Sequence, residues 1–141
     1  MADVAKVRNM WLDKVWGCLV AKVVRKGGSE DEVYAAAQWL LGYTRDDIER
    51  LVQSDCTYGD FFDGAPALNP NRSLVTGRIC GVRVEEIDDP FMHDVRVLDK
   101  MVDELAHGRP LQKVLREGGP RQGRGGEKYS RPPENYCLGY S

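Results

Sequence analysis

Apolar side chains recur at three- and four-residue steps along most of this chain, a period that predicts helices. Val4, Val7, Trp11, Val15, Cys18 and Leu19 fall on one stripe of a helix running to about Lys26, where Gly27 and Gly28 end it. Ser29 stands three residues before Glu32, the capping-box spacing in which each side chain satisfies a backbone N–H of the other. A second helix follows with Val33, Ala36, Ala37, Leu40 and Leu41 inward and Gly42 as its left-handed cap. Thr44, followed by Asp46 and Asp47, predicts a third helix start with acidic residues at the positive end of the dipole, carrying Ile48, Leu51 and Val52. The stretch "CTYGDFFDGAPALNP" then reads as a turn of helix and a loop, with Phe61 and Phe62 plugging the core.

The segment "NPNRSLVTGRICGVRVEEI" supports two readings. Asn69 as N-cap, Pro70 at the first helical position, and Val75, Ile79 and Val82 at steps of four and three favour a helix, whose Gly77 and Gly81 would form a smooth groove for a neighbouring helix. Against it, Arg78, Cys80, Val82 and Val84 share one face of any strand, and each glycine costs a helix about 0.8–1 kcal/mol relative to alanine. The cap tips the reading towards helix, with a strand pair as the alternative. Further on, Asp89 caps, Pro90 starts, and Met92, Val95, Leu98, Val102 and Leu105 line a helix that runs until Gly108. Pro110 restarts a short helix carrying Leu111, Val114 and Leu115.

The fold class expected is therefore mainly all-α, a single bundle of about five to seven helices over residues 1–117, with a short strand pair around 76–86 as its one exception. Residues 118–141 are Gly- and Pro-rich with almost nothing aliphatic to bury, and read as a disordered tail.

Composition narrows the function classes. A formal charge of −2 with 30% charged residues provides no large field of either sign to attract nucleic acid or acidic lipid. The tail carries Arg121, Arg124, Lys128 and Arg131 against Glu127 and Glu134, enough for weak contacts only, and its single "RGG" is thin evidence for RNA. The second and third helices faintly resemble a helix-turn-helix, but "TRDDIER" would repel phosphates as much as attract them. Cys18, Cys56, Cys80 and Cys137 lie far apart without a C-x-x-C pair, so reduced thiols in a cytoplasmic protein are expected. The run "VWGCLVAKVV" contains Lys22 and is too short to span a membrane. The basic N-terminal segment keeps a mitochondrial or other organellar address as the alternative, with Asp3 and Asp13 against it.

The stretches "VAKVVRKGGSEDEV", "WLLGYT", "FFDGAP", "NPNRSLVTG", "CGVRVEEIDDPFM" and "LDKMVDELAHGRPLQKVLR" occur in an order that resembles a family of bacterial hypothetical proteins, domain of unknown function 2200. The resemblance runs from about Trp16 to Arg116. It implies that the first helix belongs to the domain, and that the segment before Val15 and the tail after Glu117 are additions; it implies no activity.

The densest polar cluster is Asn69, Asn71, Arg72, Arg78, Arg83, Glu85 and Glu86. Three arginines close together could clamp a phosphate or carboxylate through their planar forks, making these seven the candidate ligand-binding residues. The bland reading has Asn69 capping a helix and the arginines paired with Glu85, Glu86 and Asp88. Asp89 and His93 share a helix face, yet two ligands are not a metal site, so neither a metal nor a cofactor is expected. Asp99 and Asp103 read as the wet side of their helix. Cys80, with basic neighbours, reads as a buried inert thiol, and no histidine can be tied to a nucleophile. The functional expectation is a module that binds a protein partner or itself, with Phe61, Phe62 and the tryptophans as anchors if the core does not take them. The alternative is an enzyme or ligand-binding domain that recognises an anionic small molecule through residues 69–86.

Overall fold

The computed structural model describes residues 4–79 and 81–116. In chain order it forms α1 (Val4–Arg8), α2 (Leu12–Arg25), α3 (Glu30–Leu41), α4 (Arg45–Val52), α5 (Tyr58–Asp63), a 3-10 turn (Pro70–Leu74), β1 (Arg78–Ile79), β2 (Val82–Arg83), a second 3-10 turn (Val84–Glu86), α6 (Pro90–Ala106) and α7 (Leu111–Val114). The fold is mainly α, as the periodicity predicts. The disordered tail expected at 118–141 lies outside the described residues.

The predicted helix ends are met by local chemistry. Ser29 and Glu32 form the reciprocal capping box, Thr44 accepts from the Asp47 amide at 3.1 Å, and Asp89 accepts from the Met92 amide at 2.9 Å. Pro90 occupies a position where no helical N–H bond is lost. Gly42 closes α3 with φ +87° in the left-handed region.

Helix α6 is the axis of the molecule. It packs on α2, α3, α5, α7, β1 and the second 3-10 turn, which is why Val97, Leu98, Met101 and Val102 are all sealed from solvent. Opposite them lie Leu12, Trp16, Leu19 and Val23 of α2 and Val33, Ala36, Ala37, Leu40 and Leu41 of α3. Phe61 and Phe62 do plug this core: Phe61 stacks on Tyr43 at 5.2 Å between ring centroids, and Phe62 meets Phe91 edge-on at 5.6 Å. Burying such a side chain is worth about 1.5–3 kcal/mol, so these rings are core-forming residues and not exposed anchors.

Two sequence expectations are corrected. The first helix is not continuous, because the chain at residues 10–12 turns extended and pairs with 56–58: the Leu12 amide donates to the Cys56 carbonyl at 2.9 Å and the Tyr58 amide to the Met10 carbonyl at 2.7 Å. The break resets the helical phase. Leu12, Trp16, Leu19 and Val23 become the inward stripe, while Trp11 is left half-exposed and Cys18 exposed.

The second correction concerns the segment after the first 3-10 turn, where β1 and β2 pair antiparallel in place of the favoured helix. Gly77 and Gly81 adopt φ +110° and +81°, conformations that end a helix and that a residue with a Cβ rarely takes. Ile79 pairs with Val82 and Arg78 with Arg83. The hairpin is tied to α6 by Lys100, itself buried, whose ammonium donates to the Arg78 carbonyl at 3.2 Å.

A surface groove built from the hairpin and the start of α6

The seven candidate residues divide into four groups. Asn69 and Asn71 are structural: Asn69 caps the first 3-10 turn by accepting from the Asn71 amide at 2.8 Å and donates to the Trp39 carbonyl at 3.2 Å, and Asn71 donates to the Arg116 carbonyl at 2.8 Å. Arg72 is turned towards α6, its Nε donating to Asp94 at 3.0 Å and its Nη1 to the Asn69 carbonyl at 2.9 Å. Glu85 folds back onto the hairpin, accepting from the Gly77 amide at 3.0 Å, and that bond holds its carboxyl below the usual glutamate range.

Arg78, Arg83 and Glu86 remain, and all three line one cleft of about 810 Å³. Its apolar wall is Val4, Val82, Ile87 and Met92, and Asp88, Asp89 and Arg96 complete the polar lining. Arg96 bonds Asp99 at 2.8 Å and Asp89 is occupied as the helix cap. Arg83 makes a long contact of 3.5 Å to Glu85. The Arg78 guanidinium and the Glu86 and Asp88 carboxylates make no ion pair with any described residue. The three arginines of the sequence reading therefore do not converge: Arg78 and Arg83 face each other across the hairpin, while Arg72 belongs to another cleft.

That neighbour, about 430 Å³, is lined by Arg72, Ser73, His93 and Asp94, and it shares Ile87 and Asp88 with the larger one. His93 Nδ1 lies 3.2 Å from Asp94 Oδ1, so the buried carboxylate receives both Arg72 and His93. Adjacency of His93 and Asp94 in sequence was visible; the arrival of Arg72 from the 3-10 turn was not. Asp89, considered with His93 as a metal pair, points its carboxylate to its own helix, and among the described residues no group of three or more His, Cys, Asp or Glu is placed to hold a metal ion. Cys80 lies outside the described residues.

Like charges directly opposite in a strand pair repel, and Arg78 opposite Arg83 is such an arrangement. An anion placed between the two guanidiniums would relieve that repulsion and accept several N–H bonds in fixed fork geometry.

Residues 6–116 match a family described as an uncharacterized protein conserved in bacteria (DUF2200). The match starts ahead of the region where the resemblance was legible, so residues 6–14 are part of the shared domain and not an addition. The crystal structure of the uncharacterized protein SP1917 superposes with a TM-score of 0.78 at 49% identity, over 82% of this chain and 94% of that one. No curated protein matches. Among the described residues no helix is long and apolar enough to cross a membrane.

Proposed function

The chain belongs to the DUF2200 family of bacterial proteins, and on that premise we propose that it is a small ligand-binding domain whose recognition element is the Arg78–Arg83 pair at the larger cleft. The observation that carries this reading is the register of the hairpin, in which Arg78 stands opposite Arg83 and both line a concavity of ligand size. The anion sits at the arginines and the rest of the molecule lies along Val82, Ile87 and Met92.

A thermal-shift screen with phosphates, nucleotides and carboxylates tests it. A ligand at a hundred times its Kd adds about 2.7 kcal/mol to the folded state, enough for an upward shift of several degrees. The Arg78→Ala/Arg83→Ala double variant loses that shift. No stabilisation by any anion, or a shift kept in full by the double variant, overturns the reading.

A second reading, a protein-interaction or self-association surface, draws on Met10 and Trp11, which are consecutive and 45% and 50% exposed where α1 meets α2. Sedimentation velocity of wild type and Trp11→Ala decides it. A concentration-dependent dimer that the variant abolishes supports this surface; a monomer at every concentration removes it as a self-association site.

A further inference from the structure

The larger cleft is not uniformly basic. Its cationic side is the hairpin, with Arg78 and Arg83, and its anionic side is the segment leading into α6, with Glu86 and Asp88. Val82, Ile87 and Met92 give the same cleft an apolar part. All four ionic residues are exposed. Yet neither carboxylate forms an ion pair with either arginine among the described residues, and Arg83 reaches out of the cleft to Glu85.

A simple anion would gain from one side of this cleft and be repelled by the other. Coulomb interactions of opposite sign partly offset one another for a single charge, so a simple anion binds the arginines weakly, whereas they add for a molecule that carries both charges in matching order. We propose, resting on the ligand-binding reading above, that the natural ligand is a small zwitterion. Its carboxylate or phosphate engages Arg78 and Arg83, its ammonium engages Asp88 and Glu86, and an apolar body between them lies on Val82, Ile87 and Met92. Asp88 lies at the junction of the two clefts, which leaves the smaller one open to any group the ligand carries beyond its ammonium.

The test uses three matched probes at several chain lengths: an ω-amino carboxylate, the same carboxylate without its amine, and the amine without its carboxylate, each titrated calorimetrically into the full chain. ω-Amino alkyl phosphates with their amine-free counterparts form a second arm that tells the two anionic heads apart. At the best length the zwitterion binds about tenfold more tightly than the better of its two halves, the scale of one added charge-assisted hydrogen bond. Asp88→Asn keeps the shape and removes one charge, so the two affinities cross: the zwitterion weakens while the plain anion strengthens. That crossing cannot come from misfolding, which weakens both.

If the plain anion binds at Arg78 and Arg83 and the amine adds nothing, the zwitterion proposal is wrong and the anion-binding reading stands. Should neither anion nor zwitterion bind, both fall. A gain from the amine that Asp88→Asn leaves intact also overturns the assignment.

Discussion

The most searching structural prediction concerns Glu104, a carboxylate only 1% exposed near the end of α6. Arg116 reaches it with both Nη atoms, at 2.7 and 2.9 Å, and Arg109 Nη1 lies 3.0 Å away. Two guanidiniums, 4% and 13% exposed, are thus neutralised in part by one buried carboxylate. Glu104→Ala leaves them without it, and removing one partner of a buried ion pair costs about 3–5 kcal/mol, because the surviving charge has lost its water and its counterion. Against a total stability of about 5–15 kcal/mol that is a large fraction, equivalent to about 10–20 °C in Tm. Urea unfolding of wild type, Glu104→Ala, Arg116→Ala and the double variant gives the coupling directly, expected at about 2 kcal/mol in favour of the pair. A loss below about 1 kcal/mol for Glu104→Ala, or a coupling near zero, would refute the claim that this carboxylate clamps the chain's last described turn. The consequence reaches the groove, since the Arg116 carbonyl holds Asn71, next to the Arg72 and Ser73 wall of the smaller cleft.

Three further outcomes are expected. Asp94→Ala removes the acceptor shared by Arg72 and His93 and costs about 2–3 kcal/mol in denaturant unfolding, whereas Asp63→Ala, which removes the exposed pair with Arg8, costs under about 1 kcal/mol. Gly81→Ala costs only the left-handed backbone, about 1–2 kcal/mol, since a Cβ there meets nothing within 4 Å; Gly42→Ala costs more, because its Cβ would lie 2.8 Å from the Ala67 backbone nitrogen. Stability against pH separates two carboxylates of opposite sign. Burial raises the Asp99 carboxyl above its usual 3.8, so its contribution is greatest when protonated and falls as pH rises past that value; Asp99→Asn therefore gains on wild type with rising pH. Glu85, lowered by the Gly77 amide, contributes above its usual 4.5 and loses that contribution on acidification, so Glu85→Gln loses on wild type with rising pH. Equal slopes for the two variants would contradict both assignments.

Where local chemistry decides the outcome, the sequence was legible. Ser29 with Glu32, Thr44, and Asp89 with Pro90 each fix a helix start within a few residues of chain, and the α3 and α6 stripes follow from spacing alone. Where a distant strand or side chain decides, it was not. Trp11 fits the first stripe by period, yet residues 56–58 pull its backbone extended, and the phase of α2 shifts by one residue. Asp99 and Asp103 look like the solvated face of α6, but Lys22 from α2 reaches Asp103 at 3.0 Å and both carboxylates are about four-fifths covered. Glu104 gave no signal, because its partners Arg109 and Arg116 arrive only after the chain turns at Gly108. The candidate site was half legible: the arginines stood out by density, while their division between two clefts depended on Gly77 and Gly81 turning a helix-like segment into a hairpin.

Whether Arg78 and Arg83 jointly hold an anionic group is read from arginine side-chain Nε–H resonances during titration with inorganic phosphate and a short carboxylate. Saturable, parallel shifts are expected at Arg78 and Arg83, with the exposed Arg25 and Arg50 moving little. Unchanged resonances at the pair, or equal drift at all exposed arginines, would contradict joint binding.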